Sequence, residues 1–542
     1  MAQTLLRYQE KQSPRRSPKD RMKDRQTAEL ILAIIAPLGG GAKSLVDILK
    51  DKLKAPPYEY DEVEVIELSE IIAEQAKIRK YDEPEPHEQL IDLPPLSERA
   101  KRSNRLQKWG NRLRKENEPD FLAKQVIRKI AVYRKEKEKE KGVSPGEPLR
   151  VAHIIRSLKN EYELELLRKL YGNMLIAIAV SAGAEQQIIN FFDIQPKGKE
   201  RTQEDVAARK KYELEFSRLA NIDQYEGIDH GQRVRKVFYQ ADLFLNNGPK
   251  LDADLNKFLE LLFGVHIHHP NIDESMIFKA FAASLQSTCL SRQVGAVIAN
   301  EHGELISIGW NDIPGCNGGL AQAANELEYK ASCKFKQKCN SQDAIDELKS
   351  FLLSRLKELN IVKGKTEAIK EENINLFKDI LDKSEISSLT EFSRAVHAEM
   401  EAILHAARNR SGNLRKATLY VTTFPCENCV KHILTAGIKK IIYIEPYPKS
   451  RALDFYGEFI KTEDDKEDCM KLIFEQFTGI SPAMYSRYFK MHTERKSVKG
   501  KTLPPTKKPL PLTNVYMDNF ARYESEIADE LIEQEKGLID EY

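Results

Sequence analysis

The 542-residue chain has no run of eighteen or more apolar residues, so it is expected neither to span a membrane nor to take one as a partner. Its opening, MAQTLLRYQEKQSPRRSPKD, lacks the apolar core of a secretory leader, and the reading is a cytoplasmic protein. Net charge is equally scarce: 85 Lys and Arg against 83 Asp and Glu leave +2, which argues against a wholesale polyanionic partner. With 31% charged and 41% hydrophobic residues, global disorder is not expected either. The seven cysteines (289, 316, 333, 339, 426, 429 and 469) are odd in number and thinly spread. That pattern points to thiols or metal ligands in a reducing compartment rather than to a disulfide framework.

What is present organises into several parts, because a chain of this length exceeds one ordinary core. Residues 1–27 carry eight Lys/Arg against three acids and read as a basic flexible tail. From residue 28 to 263 the pattern is α/β. An apolar run and glycine turn lead into a helix, followed by VEVIEL (63–68), RVAHII (150–155) and MLIAIAVS (174–181), which suggest parallel strands with helical crossovers. The alternating run RKEKEKEK closes a basic helical stretch and reads as a solvated, self-paired face. A second α/β unit spans 264–480, with a charged insert at about 316–390, and residues 481–542 form a C-terminal extension.

The sharpest signal is VHAEM (396–400) followed by PCENC (425–429). It is H-x-E and then, 29 residues after the histidine, P-C-x-x-C, the pattern of the zinc deaminases. Cys426 and Cys429, with two residues between them at a helix start, present both sulfurs to one ion, and the helix N-terminus favours thiolates. His397 supplies a third ligand, which leaves the fourth tetrahedral position for water, whose pKa zinc lowers to about 7. Glu399, two residues on, is placed to carry protons between that water and a substrate ring, with Glu401 as a competitor outside the motif. A structural zinc ribbon would need a second C-x-x-C, which the sequence does not contain.

Residues 273–311, HAEMEAI and LYVTTFPCENCVKHILTAGIKKIIYIEPYPKS resemble the cytidine and deoxycytidylate deaminase family. The wider order, carried by APLGGGAKS, VEVIELSEII, GNRLRKENEPDFLAKQVIRKI, RVAHIIRSLKNEYELELLRKLYG, QRVRKVFYQADLFLNN and FTGISPAMYSRYF, resembles the bacterial anti-phage dCTP deaminases. The resemblance implies an N-terminal P-loop kinase-like parallel α/β domain. Behind it would come a cytidine-deaminase-like αβα domain with a mixed five-stranded sheet and one catalytic zinc. It also implies hydrolysis of deoxycytidine nucleotides, dCTP or dCMP, to deoxyuridine nucleotides, and a homo-oligomer that starves viral DNA synthesis. An inhibitory RNA or protein partner is compatible with it.

On the substrate side, Asn311 in GWN matches the family position that hydrogen-bonds the sugar, and a turn-forming role is the alternative. Arg292, Lys449 and Ser450 are expected at strand ends, where ligands of open α/β sheets gather, as cations and donors for the phosphates, with solvated surface charges as the alternative; Tyr447 borders the expected base site or packs at an edge. Cys316, Cys333 and Cys339, with His266, His268 and His269 upstream, admit a second, structural zinc, but their spacing lacks a tight chelating pair and unliganded thiols in a loop are the stronger reading. Near the N-terminus, Gly39, Gly40, Gly41, Lys43 and Ser44 suggest a phosphate loop binding a second nucleotide. Against GxxxxGK[ST], however, Pro37 and Ala42 replace both fixed glycines, so a structural strand-to-helix turn is the stronger reading. Two other functions stay open. One is a deaminase acting on cytosine or adenine in nucleic acid, and the other is an inactive nucleotide-sensing or RNA-bound regulator. The intact Glu399 argues against the latter.

Overall fold

A computed structural model describes residues 25–85, 95–142, 148–195, 202–224, 230–321, 325–358, 367–384, 386, 392–445, 450–462, 470–491, 496, 508–517 and 520–540. The chain divides into two compact units. The first takes Met1–His268 and Arg487–Tyr542, and the second takes His269–Ser486.

In the first unit the elements that matter below are β1 (Leu30–Ile35), α1 (Ala42–Lys54), β2 (Glu62–Glu67), α2 (Glu98–Glu116), α3 (Phe121–Lys141), β3 (Val151–Arg156), α4 (Glu161–Tyr171), β4 (Leu175–Ser181), α5 (Gln203–Gln224) and β5 (Leu243–Asn246). The strands lie in the order β5-β4-β1-β3-β2, and every neighbouring pair is parallel. β1, with sequence LILAII, is buried at every position, as a central parallel strand covered on both faces requires. The alternating charges at the end of α3 are used locally: Lys137 pairs with Glu140 and Glu62, and Lys141 with Asp61.

The second unit is built from α6 (Ile272–Ser284), β6 (Gly295–Ala299), β7 (Leu305–Trp310), α7 (Ala398–Asn409), β8 (Thr418–Thr423), α8 (Glu427–Ala436), β9 (Lys440–Glu445), β10 (Ile460–Thr462) and β11 (Leu472–Gln476). Its sheet runs β10-β11-β9-β8-β6-β7. β6 pairs antiparallel with β7 and β8, and the remaining pairs are parallel. The sheet is mixed, as the resemblance implies, but six-stranded rather than five-stranded. The extra member is three-residue β10, which adds to the β11 edge. Against the sheet packs a core of Ile298, Leu419, Val421, Ile433, Ile441 and Phe474, into which Cys426 and Cys429 are folded.

The C-terminal extension ends in α9 (Ala521–Asp540), which belongs to the first unit. Among the described residues no helix is long and apolar enough to cross a membrane.

Candidate active site

The site begins with a glycine. A Cβ on Gly309 in β7 would stand 2.4 Å from the Ala398 carbonyl oxygen and 2.5 Å from the Ala402 nitrogen, so the missing side chain lets α7 lie directly on the strand. His397 is the N-cap residue of α7, and Cys426 is that of α8. Neither side chain caps its own helix, so ring and thiol are available to each other. His397 Nδ1 lies 3.4 Å from Cys426 Sγ and 3.3 Å from Cys429 Sγ, and the three donor atoms fall within 4.8 Å of one another. The first turn of α8, in which the Cys429 N–H donates to the Cys426 carbonyl at 3.0 Å, puts both sulfurs on one side.

Two helix N-termini meet here, and their partial positive charge favours thiolates. The hydrogen bond from Cys429 is the main influence drawing the Cys426 thiol down to about 4, and the same contact together with burial pushes Cys429 up. Hydrogen bonding to Cys426 raises His397 to about 9. Two buried sulfurs and the imidazole nitrogen of a half-buried histidine, at this separation, are the donor set zinc prefers. Glu399 is 4% exposed, and burial pushes its carboxyl up to about 7 while His397 opposes the shift. Its side chain is hydrogen-bonded with Cys429, so it borders the donor cluster. Glu401 is also buried, but it accepts from Arg408 at 2.8 Å and stands outside the donor group.

The other predicted residues have definite partners. Asn311 is buried, its Oδ1 accepting from the Val294 N–H at 2.7 Å and its Nδ2 donating to the Arg292 carbonyl at 2.9 Å. The amide therefore fixes the segment leading into β6, with part of its hydrogen-bonding capacity to spare. Arg292 pairs with Glu445 at 3.0 Å. Ser450 donates to the Pro425 carbonyl at 2.8 Å, bracing the entry to the cysteine pair. Tyr447 and Lys449 lie outside the described residues.

Sequence reasoning passed over Asp312, which accepts from the Thr288 N–H and hydroxyl and from the Ile313 N–H, so tying the residues after α6 to the end of β7. Its only sequence signal was its position beside Asn311. It also passed over Glu427, which accepts from the Arg451 N–H at 3.0 Å.

Among the described residues, His397, Cys426 and Cys429 are the group of three whose donors come together. Cys316, Cys333 and Cys339 form no such cluster with His266, His268 or His269: His268 contacts Glu260 at 2.5 Å, and the Cys339 sulfur lies 3.5 Å from Ser291 Oγ.

At the N-terminal turn, Gly39 and Gly41 have φ of 70° and 100°, conformations glycine adopts at little cost. The turn is tightly lined. Cβ atoms on Gly39 and Gly41 would meet the Gln187 carbonyl oxygen at 2.1 Å and the Asn247 side chain at 2.4 Å. Gly40 donates to the Pro37 carbonyl, and Asp223, which pairs with Lys159, accepts from the Leu38 N–H at 3.0 Å. Lys43 and Ser44 are exposed in the first turn of α1.

Residues 270–445 match the model of the cytidine and deoxycytidylate deaminase zinc-binding region. The deoxycytidylate deaminase of Enterobacteria phage T2 is 36% identical over 174 residues, which cover 32% of this chain and 79% of the phage protein. That of phage T4 is likewise 36% identical over 174 residues, covering 32% and 77%. Mouse deoxycytidylate deaminase is 24% identical over 166 residues, covering 30% of this chain and 60% of the mouse protein. Through this segment, which contains the histidine, the glutamate and both cysteines, the chain belongs to the cytidine and deoxycytidylate deaminase family.

Proposed function

We propose that this protein hydrolytically deaminates free deoxycytidine nucleotides, dCTP and also dCMP, and thereby drains the dCTP pool in defence against phage. The convergence of His397, Cys426 and Cys429 beside buried Glu399, within a segment 36% identical to deoxycytidylate deaminases, carries the reading. His397, Cys426 and Cys429 would hold a zinc ion, which would supply Lewis-acid activation of water at neutral pH.

The protein's own part is proton management. Glu399, with its carboxyl near 7, is poised both to accept and to donate a proton in a site shielded from bulk water. It takes a proton from the attacking water and gives one to the ring nitrogen N3 as the water oxygen bonds to C4. It then takes the remaining proton from the new C4 hydroxyl and gives it to the exocyclic nitrogen, so that C4=O forms as the C4–N bond breaks and ammonia leaves. The product is the corresponding deoxyuridine nucleotide.

In this reading Asn311 positions the sugar while holding the 292–294 segment, and Arg292 exchanges Glu445 for a substrate phosphate, assisted by Lys449 and Ser450. Tyr447 borders the base. The first unit is read as a P-loop kinase-like domain. Its crowded glycine turn, with a carboxylate already on the Leu38 N–H, favours a structural connection over a working phosphate loop.

The test is ammonia release from dCTP, dCMP and a cytosine-containing single strand by the purified protein. Free nucleotides are expected to react. Reaction of the strand alone would move the substrate to nucleic acid. Glu399→Ala is expected to lower kcat at least about 10³-fold while metal analysis still finds zinc, and retained turnover would remove Glu399 from the mechanism.

A further inference from the structure

Asp312, just past β7, holds two parts of the candidate site, and it does so with different atoms. Its carbonyl accepts from the Val396 N–H at 2.8 Å in an antiparallel bridge, and Val396 directly precedes His397. Its carboxylate serves the residues after α6. Oδ2 accepts from the Thr288 N–H at 3.0 Å and from the Thr288 hydroxyl at 2.9 Å, and Oδ1 accepts from the Ile313 N–H at 2.8 Å. Asp312 is only 6% exposed, so these donors replace the water its carboxylate has lost.

Thr288 belongs to the segment that carries Arg292, and that segment is stitched in place at both ends. The Ser287 hydroxyl donates to the Asn311 carbonyl at 2.6 Å and accepts from the Cys289 N–H at 3.2 Å. The Ser287 carbonyl accepts from Gln293 Nε2 at 3.0 Å, which ties the start of the segment to its end. At that end the Asn311 amide grips the Val294 N–H and the Arg292 carbonyl. Between the ties, Leu290 is 52% exposed, and Ser291, Arg292 and Gln293 are exposed as well. A stretch with so little buried apolar surface keeps its place through hydrogen bonds. Those made by Thr288 end on one carboxylate.

We propose that the Asp312 side chain is a positioning group for nucleotide binding, an assignment that rests on the deaminase reading above. By holding Thr288 it sets the place of Arg292, and with it the affinity for the substrate phosphate. Asp312 is not among the metal donors. Truncating its side chain leaves the carbonyl that bonds the Val396 N–H, so His397 keeps its support and the chemistry is retained. Thr288, by contrast, loses its acceptor, and the segment between the ties loosens. A guanidinium on a loosened segment keeps its charge but has to be ordered when the phosphate arrives, and that cost falls on KM rather than on kcat.

The experiment is steady-state kinetics of the full-length protein with dCMP and dCTP, with zinc content and melting temperature determined for every variant. Asp312→Ala and Thr288→Val are each compared with the parent, alone and combined with Arg292→Ala. For the nucleotide the parent deaminates, Asp312→Ala is expected to raise KM about tenfold or more, with kcat within about threefold and zinc content at the parental level. Combined with Arg292→Ala, it is expected to raise KM no further than Arg292→Ala does alone, because groups that act through one contact are not additive. Thr288→Val removes a single hydroxyl and leaves the buried carboxylate with its N–H donors, so it carries the test should Asp312→Ala lower the melting temperature. Its own KM is expected to rise by a smaller factor, and again not beyond that of Arg292→Ala when the two are combined. An unchanged KM in both variants, a joint fall in kcat and zinc content in place of the KM rise, or rises that multiply with that of Arg292→Ala each overturn the assignment and leave the deaminase reading standing. A parent that releases no ammonia from either nucleotide defeats that reading, and the assignment with it.

Discussion

The buried histidine of β3 shows how one residue sets a condition on the whole fold. His153 is 2% exposed, with Tyr133 edge-on to it at 5.3 Å, and burial, aided by the Arg134 charge, pulls its pKa down to about 3. In the unfolded chain the imidazole titrates near its ordinary 6.5. Between those values the unfolded state binds a proton that the folded state does not, so this contribution to stability is complete above about 6.5. It is lost as pH falls toward about 3, by about 1.4 kcal/mol per pH unit. Denaturant unfolding of the parent and of His153→Phe, measured from neutral to mildly acid pH, is expected to show a shallower acid dependence in the variant by one proton. Parallel curves would mean that the imidazole is protonated in the folded protein.

Single residues also explain which parts of the site were legible in sequence. His397, Glu399, Cys426 and Cys429 could be read because metal and proton chemistry demands particular residue types at short spacings, and helix starts deliver both cysteines and the histidine to one point. Asn311 and Arg292 were found as residues, but their partners were not. The amide's grip on Val294 and Arg292, and the Arg292 pairing with Glu445 across 153 residues, depend on strand register that no local pattern encodes. The same reason hid Asp312, whose role exists only because Thr288 is brought to the end of β7.

At the scale of elements, the decisive packing is α7 on β7. The atoms a Gly309 side chain would strike, the Ala398 oxygen and the Ala402 nitrogen, are backbone, so no rotamer change relieves the clash and the helix itself must move outward. His397 and Glu399 sit at the moving end. Gly309→Ala is therefore expected to destabilise the protein by about 1–3 kcal/mol and to lower zinc content and turnover together. Gly457→Ala, where a Cβ meets nothing within 4 Å, is the control and is expected to change neither. Full zinc occupancy in Gly309→Ala would show that α7 tolerates the displacement. Strands were the readable elements: the apolar runs at 150–155 and 174–181 became β3 and β4 almost residue for residue, because buried parallel strands announce themselves by unbroken hydrophobicity. The sixth strand of the second sheet was not readable, since three residues at an edge carry too little pattern.

At the scale of the molecule, the first unit is assembled from both ends of the chain, and α9 is its closing piece. Phe520, Glu524, Ala528 and Leu531 make the buried face of this segment, at helical spacing with a carboxylate in the middle. Glu524 accepts from Arg134 Nε at 2.9 Å and Nη2 at 3.2 Å and from the Tyr171 hydroxyl at 2.8 Å, while Arg134 also pairs with Glu29 beside β1. A second anchor holds the far end, where Gln75 donates to Glu535 at 2.9 Å and Arg128 pairs with the same carboxylate. The Arg134–Glu524 pair closes a sequence separation of 390 residues, a pairing that no local pattern in the C-terminal extension announces. Removing the acid leaves a guanidinium buried with one partner instead of two, and breaking a buried pair in this way costs about 3–5 kcal/mol. Glu524→Ala and deletion of 521–542 are both expected to expose α3 and β1 to faster amide hydrogen exchange and to lower the melting temperature of the first unit, the deletion more than the substitution. Exchange in α3 that is unchanged by the deletion would show that α9 is an accessory to the unit rather than part of its core.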